Sequence, residues 1–140
     1  MDEQYLDLKF LLLEKLNLIE ELSFNEAKDE EYEINDIVTS SRILTLIQNG
    51  TYTSSQLAKK LNISRQAIHK SITNLSQKGY LTLLNDEKNK KNKNIHVTQK
   101  GEELLICRNN VMKKVEKKVE NCIGKDKFLK LKDLLKEDWN

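Results

Sequence analysis

Two short apolar stripes of helical spacing, separated by a turn of only a few residues, constrain this chain more than any other feature. Thr53 followed by Gln56 has a capping-box pattern, in which each side chain satisfies a backbone N–H that the first helical turn leaves unpaired, and it predicts a short helix ending near Leu61. Asn62 tolerates the left-handed conformation of a tight turn, and Ser64 is a good N-cap for a second helix through Lys78 that stops at Gly79. Leu57, Ala58, Leu61, Ile63, Ile68, Ile72 and Leu75 then fall where two crossed helices would share a core, with Ala58 small at the close approach. The unit reads as helix, turn, helix.

The flanking sequence extends this unit on both sides. Tyr5, Leu6, Leu8, Phe10, Leu12, Leu13, Leu16, Ile19 and Leu22 predict a first helix that is apolar on more than one face and therefore has to be covered on several sides. Ile34, Ile37, Val38, Leu44 and Ile47 predict a second, starting near Asn35 or Asp36 and ending at Asn49-Gly50. After Gly79, segments 80–84 and 95–98 read as two strands of a β-hairpin around a polar Lys/Asn-rich tip, 85–94, expected to be a long mobile loop. Thr98 can cap a long helix carrying Leu104, Leu105, Ile106, Val111, Val115, Val119 and Ile123, and Gly124 breaks it. A last helix holds Phe128, Leu131, Leu134, Leu135 and Trp139 on one side. The fold class is mostly α with a small β-hairpin, in one compact domain, since 140 residues leave no room for a large two-domain enzyme.

Charge supplies the first functional hint. The net charge is only +2, but residues 1–36 hold 12 acidic and 3 basic side chains, whereas 37–140 hold 10 acidic and 21 basic. Such asymmetry points the basic part toward a polyanion. Cys107 and Cys122 have no second pair and no nearby His that would complete a zinc site, so they read as buried small thiols. No metal or cofactor is expected. The acidic start lacks a signal-peptide pattern, and Glu14 interrupts the apolar run of the first helix, which together suggest a soluble, cytoplasmic chain.

A helix-turn-helix followed by a basic hairpin is suited to duplex DNA: one helix fits the major groove and the arm reaches phosphates or a neighbouring groove. The stripe Ile68, Ile72, Leu75 turns Arg65, Gln66, His69, Lys70 and Thr73 outward, while the Ser64 cap leaves the helix N-terminus free to attract a phosphate. Arg can donate in a bidentate way to guanine, and Gln to adenine. At the hairpin tip, Lys88, Lys90, Lys91 and Lys93 are candidates to neutralise phosphates, adding affinity more than discrimination because Lys lacks the planar fork of Arg.

The order of elements and these residues resemble the MarR-type winged-helix transcription regulators over nearly the whole chain. The resemblance is carried by Ser64-Arg65-Gln66-Ala67-Ile68-His69-Lys70, by Leu75-Ser76-Gln77-Lys78-Gly79-Tyr80-Leu81, and by Val97-Thr98-Gln99-Lys100-Gly101. Where the family's wing usually has Asp-x-Arg-Asp-x-Arg, this chain has Asp86-Glu87-Lys88-Asn89-Lys90-Lys91, so Lys88 and Lys91 replace both arginines; Leu83 stands where many members have another Arg. The resemblance implies a winged helix-turn-helix lobe at 35–101, between an N-terminal dimerisation helix with the acidic segment at 1–34 and C-terminal dimerisation helices at 102–140. It implies a homodimer that binds a pseudo-palindromic operator, with repression as the expected outcome. Leu6, Phe10, Leu13, Phe128, Leu131, Leu135 and Trp139 are then the candidate dimer interface. Similar proteins often respond to a small aromatic effector, whose site does not carry over residue by residue. Others respond to oxidation of an N-terminal cysteine, which the first helix here lacks.

Three other classes compete. A winged helix that binds a protein partner, or antagonises another regulator, would explain the Arg-poor wing but not the outward row on the second helix of the pair. An enzyme has only His69 and His96 as histidine bases, with no Gly-rich phosphate loop and no nucleophile elbow, so none is expected. A basic last helix could lie on anionic lipid, but its apolar side is already claimed by the dimer, and no membrane partner is expected.

Overall fold

Thr53, Asn62 and Ser64 build their turns by backbone satisfaction. The computed structural model of the chain describes residues 2–51, 53–86 and 89–140, with 85–86 and 89–93 described as backbone only. Thr53 Oγ1 accepts from Gln56 N at 3.2 Å and Gln56 Oε1 accepts from Thr53 N at 3.3 Å, opening α3 (Ser54–Leu61). Asn62 takes φ 53°, closing that helix, and Ile63 N donates to Ala58 O at 3.0 Å. Ser64 Oγ then accepts from Ala67 N at 3.1 Å and starts α4 (Arg65–Gln77). Before them, a π-type turn (Asp36–Ser40) runs into α2 (Ser41–Gln48). After them come β1 (Leu81–Asp86), β2 (Asn89–Val97), α5 (Gln99–Ile123) and α6 (Lys125–Lys136); α1 (Leu8–Ala27) precedes all of these.

The chain divides into two compact units, 27–109 and a second made of 1–26 with 110–140, and α1 and α5 each contribute to both. In the first unit Ile37, Leu44, Leu57, Ile68, Leu75, Leu81, Ile95 and Leu104 are fully buried. The shared core expected of α3 and α4 forms from Leu57, Ala58, Ile68, Ile72 and Leu75. Leu61 is half-buried, however, and Ile63 is exposed. The left-handed residue before Ile63 turns its side chain outward, so helical spacing ceases to describe it.

The hairpin is longer than the sequence predicts. β1 and β2 pair antiparallel from Leu81↔Val97 to Asn85↔Lys93, and after an irregularity Asp86 faces Asn89. Much of the polar 85–94 segment is therefore strand, where a long loop was expected. Ladder hydrogen bonds belong to the backbone, so a register set by the apolar base continues through Asn and Lys without needing apolar side chains. Lys88 lies outside the described residues, as do the side chains of Lys90, Lys91 and Lys93.

In the second unit Val111 and Val115 are buried, and Ser23 Oγ donates to Ile19 O at 2.7 Å. Lys118 pairs with Glu26 at 2.5 Å, which holds the Glu26 carboxyl below its usual range, and Lys132 pairs with Glu116 at 2.8 Å. The stripe on α5 fades toward its end, with Ile123 exposed, and Gly124 at φ 91° separates α5 from α6 by one residue. Tyr5 and Leu6 do not belong to α1. Asp7 Oδ1 accepts from Phe10 N at 2.8 Å and starts the helix after them, leaving a 3-10 turn at Glu3–Tyr5. Trp139 lies beyond α6, its indole N–H donating to Leu134 O at 3.0 Å. Cys107 is buried, with its Sγ 3.5 Å from Glu30 Oε2, whereas Cys122 is exposed rather than buried.

Candidate nucleic-acid interface

The buried stripe Ile68, Ile72, Leu75 fixes how α4 sits, and the opposite face follows from 3.6-residue periodicity. Ser64, Arg65, Gln66, His69, Lys70 and Thr73 are all exposed on it. The structure thus gathers the predicted recognition residues on one outward row. Ser64 satisfies the Ala67 N–H, and the first-turn N–H groups of Arg65 and Gln66 stay at the open end of the helix, where they favour an anion.

At its other end α4 is tied into a polar corner. Lys78, the C-cap, donates to Asp36 at 2.9 and 3.1 Å and to Glu33 at 3.4 Å. The Asp36 side chain is only 4% exposed, and Tyr80 Oη reaches the same carboxylate at 3.5 Å. The hydrogen bond to Asp36 raises the Lys78 pKa against the opposing effect of burial, while burial, with the nearby Asp36 charge, pushes the Tyr80 hydroxyl up. Sequence reading treated Asp36 only as a possible helix start, because a pair 42 residues apart leaves no local signal.

Two of the three segments that carry the MarR resemblance, 75–81 and 97–101, meet at this corner. Lys100 Nζ donates to Lys78 O at 2.7 Å and sits 5.0 Å from the Tyr80 ring centroid. Thr98 Oγ1 donates to Gly79 O at 2.5 Å and accepts from Gly101 N at 3.1 Å, while Thr98 N donates to Tyr80 O at 3.1 Å. The end of α4, the base of the hairpin and the start of α5 are joined there. Gly101 has no room for a side chain: a Cβ would strike the Tyr80 carbonyl oxygen and stand 2.7 Å from Val97 Cγ1. Gly101→Ala is expected to cost about 1–3 kcal/mol by overpacking, read as a lower urea midpoint with an unchanged slope; an unaltered midpoint would show that the corner yields freely.

Beside the outward row lies a surface cleft of about 620 Å³ whose other wall is the π turn and α2. It brings Thr39, Ser40 and Arg42 next to His69, Lys70 and Thr73. Sequence reading passed over Arg42, since one Arg near a helix start says nothing about which surface it joins. In the hairpin, His96 is exposed and pairs with Thr82. Leu83 and Leu84 are also exposed. Among the described residues no cluster of His, Cys, Asp and Glu is placed to hold a metal ion, and no helix is long and apolar enough to cross a membrane.

A helix-turn-helix (HTH) domain model matches residues 39–88, a stretch that takes in α2, α3, α4 and β1. Among solved structures, wild-type apo MarR from E. coli is 17% identical, with 94% of this chain and 96% of that one covered and a TM-score of 0.78. A MarR-family transcriptional regulator from Rhodococcus sp. RHA1 is 16% identical, over 92% of this chain and 89% of that one, at TM-score 0.74. MepR from S. aureus, in a complex with DNA, is 16% identical, over 92% and 93%, at TM-score 0.68. No curated protein matches the sequence significantly. The domain match and these likenesses together identify the fold of this chain as the winged helix-turn-helix of the MarR regulators.

Proposed function

We propose that this chain is a MarR-family transcriptional regulator that binds duplex DNA sequence-specifically as a homodimer on a pseudo-palindromic operator, acting as a repressor. The observation that carries this reading is the exposed row Arg65, Gln66, His69, Lys70 and Thr73 on α4, held by a buried stripe behind it. The solved MepR complex, on the same fold, contains DNA. The dimer is supported by apolar surface left open on the single chain: Leu8, Leu13 and Leu16 on α1, Leu131 and Leu135 on α6, and Trp139 beyond it are each at least 42% exposed. Leu6, Phe10 and Phe128 are half-covered and extend the same candidate interface. Lys88, Lys90, Lys91 and Lys93 at the hairpin tip would add phosphate contacts.

Selection of bound duplexes from a random pool, with stoichiometry recorded, tests the reading. A two-fold-related motif with half-sites about one helical turn apart and two chains bound is the expected result. No enrichment would overturn it and favour a protein-binding role for the fold. On the selected duplex, Arg65→Ala or His69→Ala is expected to weaken binding by about 1–3 kcal/mol and relax preference at one position per half-site, with nonspecific binding largely intact. Equal losses on every sequence would remove the base-reading role.

A further inference from the structure

The cleft beside α4 has a composition that calls for a specific occupant. Although the chain holds 22 Asp and Glu, none lines this cleft among the described residues, whereas Arg42, His69 and Lys70 do. Arg42 Nε donates to Thr39 O at 3.2 Å, which orients the guanidinium, and its two terminal nitrogens have no partner among the described residues. Lys70 stands exposed across the cleft with no ion pair among the described residues. Thr39 and Ser40 add hydroxyl donors on the Arg42 side.

Resting on the DNA-binding reading above, we propose that this cleft seats the sugar–phosphate backbone of one DNA strand, with Arg42 and Lys70 as its phosphate ligands. A phosphodiester is bound by cations and neutral donors, and the two walls provide them: a planar fork from α2 and a point charge from α4. The exposed Ile63 lines the same trough, where a deoxyribose edge gives it apolar contact. Base reading then rests on Arg65 and Gln66, near the helix N-terminus and outside the cleft lining, together with His69, which lines it. Lys70 changes role, from a candidate base contact to a backbone clamp. Phosphate contacts of this kind set register without carrying sequence information.

The test measures binding of the selected duplex and of a scrambled duplex over a salt series, with thermal melting as a check that each variant folds. Arg42→Ala is expected to weaken both duplexes by a similar factor, about tenfold, and to make the slope of log affinity on log salt shallower by about 0.9 per lost phosphate contact. Arg42→Lys is expected to restore the slope, and Lys70→Ala to reproduce the Arg42→Ala pattern. In duplexes carrying one neutral methylphosphonate per half-site, a linkage is expected that weakens the wild-type chain but has no further effect on Arg42→Ala. A loss confined to the selected duplex, or an unchanged salt slope, overturns the clamp while leaving the regulator reading intact. A wild-type chain that binds neither duplex overturns both.

Discussion

Replacing Lys78 by Met is expected to lower the melting temperature by about 6–12 °C, the equivalent of roughly 2–4 kcal/mol in a chain of this length. The cost comes from what stays behind. The Asp36 carboxylate is 4% exposed and, among the described residues, would keep only the Tyr80 hydroxyl at 3.5 Å after losing contacts at 2.9 and 3.1 Å. Removing one member of a fully buried ion pair costs about 3–5 kcal/mol, and the figure here is set lower because the Lys78 side chain is 32% exposed. Combining Lys78→Met with Asp36→Leu is expected to recover most of the loss, since the uncompensated charge is gone. A double variant as unstable as the single one would show that the loss does not come from the charge left on Asp36, since the Lys100 bond goes to the Lys78 backbone carbonyl, which the substitution keeps. The pair also predicts a pH dependence. The Lys78 pKa is raised in the folded state, so its contribution is complete below about pH 10.4, the ordinary lysine value, and is lost as pH rises through the elevated folded value. Wild type therefore loses stability at strongly alkaline pH that Lys78→Met has already lost, and the gap between them narrows there.

The double substitution Leu131→Asp, Leu135→Asp is expected to leave a folded monomer whose operator affinity is lower by two to four orders of magnitude, roughly the range set by losing a tethered second binding site. Both side chains are exposed in the single chain, at 42% and 51%, so the charges meet water in the monomer and an apolar surface only in a dimer. Sedimentation would read the assembly state, and circular dichroism would read the fold. A dimer that persists with unchanged affinity would move the interface away from α6.

Much of the fold was legible because its boundaries are chemical rather than statistical. Thr53 with Gln56, Asn62, Ser64 and Gly79 each impose a local backbone solution, and the structure adopts all of them. The outward row on α4 follows once Ile68, Ile72 and Leu75 are assigned inward. Legibility fails where a residue's neighbours come from far along the chain or where side chains do not decide the geometry. Asp36 and Lys78 meet over 42 residues, and Arg42 joins the α4 cleft through the packing of α2. The strands outrun their apolar residues because backbone pairing continues without them, and Ile63 leaves the core because Asn62 reverses the chain.

The corner made by Lys78, Gly79, Thr98, Lys100 and Gly101 has a mechanical consequence. With Lys100 and Thr98 donating to the Lys78 and Gly79 carbonyls just past the end of α4, that helix, the hairpin base and the start of α5 are tied to one another. A displacement of one therefore carries the other with it. Under the proposed DNA-binding reading, release of a duplex would withdraw the helix and the hairpin base together.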